Sequence, residues 1–300
     1  MAKSISRRTV VSGAAAATGM AAAGVLGASF IERSTSMTLP AIFVPHGGGP
    51  WPWIDGFGGP GATAGLRTYL ESLPDSLPEP PKAILCITAH WEEAVPTIST
   101  SEQPPMLYDY SGFPQHTYAI KWPAKGSPTV ASRVRELLAQ AGIETATNAH
   151  RGFDHGTFVP LAVAWPDASV PTIQLSLVKT LDPETHLAIG RALRPLRDEG
   201  VLIVGSGMSY HNMRGFAGAH GRADSVAFDE WLGKAVVNPS TRDEALCAWS
   251  EAPAGRACHP REEHLLPLMV VTGAAGEDEP GTLPFRDSVM GVRVSAVQYG

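Results

Sequence analysis

Three times along this chain a short apolar run stops at glycine or proline, or simply ends, and a histidine follows. Residues 41–44 lead through Pro45 to His46 and three glycines, residues 83–87 lead to His90 and Trp91, and residues 201–204 lead through Gly205 and Gly207 to His211. Apolar runs of this length bounded by such breakers read as buried strands. In open α/β sheets the ligand crevice lies outside the carboxyl ends of the strands. Histidines placed there are aimed at a site, and three of them predict a metal centre.

The rest of the chain supplies the matching helices. Patterning predicts helices over residues 62–73, 128–141 (with Ser127 as its cap), 183–197, 222–237 and 241–250, and one starting at Pro260, with further strands at 97–100, 171–178 and 293–300. Strands alternating with helices give an α/β fold, here a single domain over residues 37–300 with a central, mostly parallel sheet flanked by helices. The strands do not alternate apolar with polar residues, so both faces of the sheet should be covered. Residues 103–128 are dense in proline and aromatics without periodicity; such a segment is a candidate lid or substrate wall.

Residues 1–36 stand apart. Arg7 and Arg8 precede an Ala/Gly-rich run without charge until Glu32, the layout of a twin-arginine export signal. The expectation is an exported, periplasmic protein carried by the twin-arginine machinery, or a cytoplasmic one if Met37 is the true start. The run is too short and too rich in Ala and Gly for a membrane span.

A net charge of −6 with no basic block argues against nucleic acid and an anionic membrane surface as partners. There are 3 cysteines and no CxxC pair. A metal here would therefore have histidine and carboxylate ligands, a set that suits iron, zinc or manganese. Cys86 reads as core, and Cys247 with Cys258 as a candidate bridge in an oxidising compartment. His264, following Glu262 and Glu263, is a further candidate ligand, with either carboxylate as ligand or as the group that orients an imidazole. His186 and His220 read as solvated, whereas His116, His150 and His259 have no distinguishing context.

The ordered set HGGGP at His46, TAHW at His90, GFPQ at 112–115, GFDHG at His155, SYHN at His211 and EEHLLPL at His264 resembles the class III extradiol ring-cleavage dioxygenases, in particular their DOPA-dioxygenase-type branch. The resemblance runs over nearly all of residues 37–300. It implies a mononuclear non-haem Fe(II), with zinc as the metal often found bound, held by His46, His90 and His264. His211 would be a further ligand or an acid/base, and His155 the histidine that handles protons. The reactants would be a catechol and O2. Family members often carry HGSP where this chain has three glycines, so a hydroxyl is missing beside the metal.

Trp91, Phe113 and Tyr210 are candidates for the wall against which a planar ring stacks, and Arg151 or Lys121 for a substrate carboxylate. Three rival readings use the same residues differently: a zinc hydrolase, a periplasmic metal-binding protein, and a serine hydrolase on Ser206. The last is weakened because Val204 stands where GxSxG requires glycine.

Overall fold

The sheet is built around a parallel core, β5-β2-β6-β1, within the order β4-β3-β5-β2-β6-β1-β9. The strands are β1 (Ala41–Pro45), β2 (Ala83–Glu93), β3 (Thr97–Ser99), β4 (Ala146–Asn148), β5 (Thr172–Val178), β6 (Val201–Gly207), β7 (Arg286–Val289), β8 (Val292–Ser295) and β9 (Val297–Tyr299). The helices are α1 (Ala64–Ser76), α2 (Pro128–Gln140), α3 (His155–Ala164), α4 (Pro183–Leu193), α5 (Pro195–Asp198), α6 (Ala219–Val237), α7 (Arg242–Cys247), α8 (Gly255–Cys258) and α9 (Leu266–Gly273). This computed structural model describes residues 37–216 and 218–300; the twin-arginine-type segment expected at residues 1–36 lies outside them. None of the described helices is long and apolar enough to cross a membrane.

Both faces of the parallel core are covered, as the continuous apolar strands require. Gly205 and Gly207 of β6 turn one face toward α9: a side chain at Gly207 would collide with the His264 carbonyl, and a Cβ at Gly205 would stand 2.5 Å from the Pro267 oxygen. That close approach seats the His264 segment over the carboxyl end of β6. Ser206, pointing the other way, donates its hydroxyl to the Gly156 carbonyl of α3 and is fully buried. A committed, buried hydroxyl is no nucleophile, which removes the serine hydrolase.

Several boundaries differ from the sequence reading, each for a local reason. The helix expected over 183–197 breaks at Arg194, because Pro195 cannot continue it, into α4 and α5. The helix expected from Pro260 starts at Leu266, with Pro267 in its first turn, so His264 precedes the helix. The terminal strand divides at Ala296: β8 forms a hairpin with β7, and β9 joins the main sheet antiparallel to β1. Cys247 and Cys258 are both free thiols rather than a bridge.

His186 is fully buried rather than solvated, donating through Nδ1 to the Asp182 carbonyl at 2.7 Å and accepting the Val178 N–H at Nε2. His259 is buried too, with Nε2 against the Ser209 carbonyl at 3.1 Å, and burial pushes its pKa down to about 3. Such a histidine binds its proton in the unfolded chain near pH 6.5 and only much lower when folded. Its contribution to stability is therefore complete above about pH 6.5 and is lost as pH falls toward 3. The metal-free protein should lose a few kcal/mol between pH 7 and 4, and His259→Phe should lose less over that range, as read from chemical unfolding at both pH values. Equal losses in the two proteins would show that His259 does not titrate on unfolding.

Candidate metal centre

The carboxyl ends of β1, β2 and β6, the start of α3 and the turn before α9 bring five histidines to one cavity of about 350 Å³: His46, His90, His155, His211 and His264. His46 leaves β1 with its N–H on the Gly207 carbonyl (3.0 Å), and its Nδ1 donates to the Gly47 carbonyl at 2.8 Å, which leaves Nε2 with a lone pair facing inward. His90 sits where β2 bulges: the register against β5 jumps between Ile87 and Glu92. Bulges re-aim side chains. The turned-out His90 N–H is caught by the Thr88 hydroxyl at 3.2 Å, and that hydroxyl in turn donates to Asp154 Oδ1 at 2.8 Å.

Asp154 also caps α3 through the Thr157 N–H and pairs with Arg151 at 2.8 Å, so one buried carboxylate fixes both His90 and the start of α3, where His155 lies. His155 Nδ1 meets Asp109 Oδ1 at 2.8 Å, and the same oxygen accepts the His155 backbone N–H at 2.9 Å. Burial pushes Asp109 up, but these bonds and the His155 charge more than offset it and hold the carboxyl below its ordinary pKa. His264 Nδ1 meets Glu263 Oε1 at 2.9 Å, while its Nε2 is buried with no protein partner. His211 stacks on His264 with centroids 3.3 Å apart and shares Glu263, its Nδ1 standing 3.5 Å from Oε1. Glu263 thus orients two imidazoles, one of the two roles open to it from the sequence.

These residues fit a metal. His46 Nε2 and His90 Nε2 face each other at 3.3 Å, about the separation of two imidazole nitrogens on one tetrahedral ion at roughly 2.0–2.1 Å from each. His264 lies across from both, its ring centroid 5.2 Å from His46 and 4.9 Å from His90. Burial, followed by the neighbouring histidines, holds His46 and His90 well below the ordinary imidazole range; burial likewise brings His264 to about 4 against the opposing pull of Glu263. Neutral imidazoles with buried lone pairs are what a divalent cation needs. His155 is as near to His46 and His90 as a third donor, their ligand atoms all lying within 4.8 Å of one another.

Residues 57–296 match the family described as the catalytic LigB subunit of aromatic ring-opening dioxygenase. The dioxygenase tasH of Hapsidospora irregularis is 36% identical over 288 residues, covering 89% of this chain and 87% of that protein. The 4,5-DOPA dioxygenase extradiol of Beta vulgaris is 41% identical over 72% of this chain and 82% of its own, and the protein of the same name from Escherichia coli K12 is 34% identical over 89% and 96%. The chain belongs to the class III extradiol dioxygenases. The crystal structure of uncharacterized protein JW3007 from Escherichia coli K12 superposes with a TM-score of 0.69 at 29% identity, covering 87% of this chain and 100% of that one.

As an aromatic ring-opening dioxygenase this protein is an oxidoreductase, which sets aside the hydrolase and the non-catalytic metal carrier. The dioxygenase's cavity is lined on its non-histidine side mainly by apolar side chains, Phe113 among them. Two of the expected wall residues lie elsewhere. Trp91 alternates away from His90, donates to Glu93 and lies under the Arg151 guanidinium at 4.9 Å, and Tyr210 sits a layer behind, its ring edge-on to Phe216. Arg151 is engaged with Asp154 and the His90 carbonyl, and Lys121 is exposed outside the lining, so neither reaches the cavity. Asp109 was not anticipated. It falls inside the aromatic segment 103–128, where the motif YDY gives no periodic signal. That segment is packed rather than open: Tyr108 and Tyr110 donate their hydroxyls to the Ile120 and Thr117 carbonyls.

Proposed function

We propose that this dioxygenase opens a catechol-type ring with O2 at a mononuclear Fe(II) held by His46, His90 and His264, with His155 as the acid/base. The observation that carries the reading is the donor arrangement: two facing Nε2 atoms and one orphaned, buried Nε2 beside a cavity lined largely by apolar side chains. A bound Fe(II) would supply a Lewis-acidic, redox-active centre at which both reactants are brought together.

The protein's own groups do the rest. His264 is assigned as ligand over His155 because its Nε2 is desolvated and has no other partner, a costly state unless a cation occupies it. His155 is anchored through Nδ1 by Asp109, which fixes its tautomer and orientation, so Nε2 is left to take a catechol proton and return it when the ring opens. His211, sharing Glu263 with His264, is a second proton carrier at the rim of the same cavity. The apolar wall holds the ring and excludes water.

Protein purified without oxygen and reconstituted with Fe(II) should consume one O2 per catechol and form a yellow ring-opened semialdehyde, whereas the zinc-loaded protein should consume none. Absence of uptake with every catechol, from protein holding stoichiometric iron, would refute this chemistry. From the Arg7-Arg8 pair and the Ala/Gly-rich run after it we further propose export to the periplasm, against a cytoplasmic protein starting at Met37; retention in the cytoplasm of cells carrying Arg7→Lys and Arg8→Lys, with periplasmic recovery of the parent, is the expected fractionation.

A further inference from the structure

Resting on that reading, we propose that the catechol this site takes carries an uncharged, apolar ring substituent, selected by a wall that Phe57 and Met290 build at the mouth of the cavity. The non-histidine lining is Phe57, Phe113, Met208, Met213, Phe216 and Met290, together with Gly47, Gly48, Gly49 and Tyr110. Tyr110 has already committed its hydroxyl to the Thr117 carbonyl. Among the described residues, this lining therefore offers no arginine or lysine to an anionic substituent. A carboxylate brought in beside the ring would give up its water without finding a cation, which is strongly unfavourable.

The wall is specifically arranged. Each glycine after His46 lies beneath one aromatic ring: a Cβ at Gly47 would meet Trp51, at Gly48 Phe57 (3.2 Å), and at Gly49 Phe113 (2.9 Å). The absence of a side chain at Gly48 leaves room for Phe57 to close down beside Met290, 3.6 Å from the same point.

Met290 pays a conformational cost to be there. It occupies the first of two left-handed positions in the β7–β8 hairpin, with φ of 50° at Met290 and 86° at Gly291, where asparagine, aspartate or glycine are the favoured residues. A long apolar side chain is kept in that strained backbone, and it reaches the cavity. Beyond Met213, a neighbouring cavity holds Arg214 and Arg261, the latter gripped by Glu92 at 2.6 Å and by Glu263 at 3.3 Å. Those two guanidinium groups line an adjoining cavity that shares His211 and Met213 with this one, outside the lining that faces Phe57 and Met290.

The test compares 4-propylcatechol, protocatechuate and DOPA on the full chain in two ways. Binding to the redox-silent Zn(II)-loaded protein is measured by calorimetry, and kcat/KM on the Fe(II)-loaded protein by O2 uptake. Propylcatechol should exceed both charged catechols by about a hundredfold in each measurement. Met290→Lys should narrow the gap to protocatechuate by about tenfold at unchanged metal content. Equal or tighter binding of a charged catechol overturns the inference, as does a preference for DOPA that Arg214→Ala removes. Should Met290→Lys fail to fold, the wild-type ranking decides alone. If the binding order holds but nothing is turned over, the dioxygenase chemistry fails and the apolar selectivity stands.

Discussion

His46→Ala should leave a folded protein that no longer retains iron or zinc and whose ring cleavage falls by more than about a thousandfold. The loss is that large because the metal contributes several kcal/mol to the transition state, and each 1.36 kcal/mol is a factor of ten. The geometry of the site shows why. His46 is 1% exposed, its Nδ1 is tied to the Gly47 carbonyl, and its Nε2 lies 3.3 Å from that of His90, so alanine removes one of two facing donor nitrogens. Stability of the metal-free variant should be close to that of the metal-free parent, because the substitution removes a desolvated imidazole facing a second one. What disappears is the metal-dependent rise in Tm, since a ligand that binds only the folded state stabilises it by mass action. Metal analysis after dialysis and Tm with and without Zn(II) check this. A variant that still holds one metal per chain would remove His46 from the ligand set.

The second large effect separates proton handling from metal binding. His155→Ala should keep its metal and its Tm shift yet lose about a hundred- to ten-thousand-fold in kcat, the usual contribution of one positioned acid/base. Asp109→Asn should lie between wild type and His155→Ala, because it leaves the imidazole in place while removing the carboxylate that fixes its tautomer at 2.8 Å. Loss of metal in His155→Ala would instead make His155 the third ligand in place of His264. The ligand atoms of His155, His46 and His90 all lie within 4.8 Å of one another. The buried, partnerless Nε2 of His264 is what decides against it.

The two predictions rest on different layers of information. That His46 and His90 belong to one site was readable from the chain, because an apolar run ending at a breaker fixes where a strand stops and therefore where its last side chain points. The covered parallel sheet was readable for the same reason, from strands that never alternate. His186 was misread: position in a first helical turn suggests exposure, and only the packing of α4 under β5 buries it. Trp91 was misread by one residue of phase. It follows His90 directly, and neighbours on a strand face opposite ways, even at the bulge.

What the sequence determined by itself, then, is the α/β sheet, the strand ends and the histidines that sit on them, since periodicity and breakers act over a few residues. The surroundings of each imidazole come instead from long-range packing. Asp109 reaches His155 across 46 positions of chain, and Phe57 and Met290 meet over Gly48 from opposite ends of it. Contacts of that kind depend on how the loops close in space, and no local pattern encodes them; they set which nitrogen carries the proton, which lone pair is left for a metal, and how apolar the entrance is.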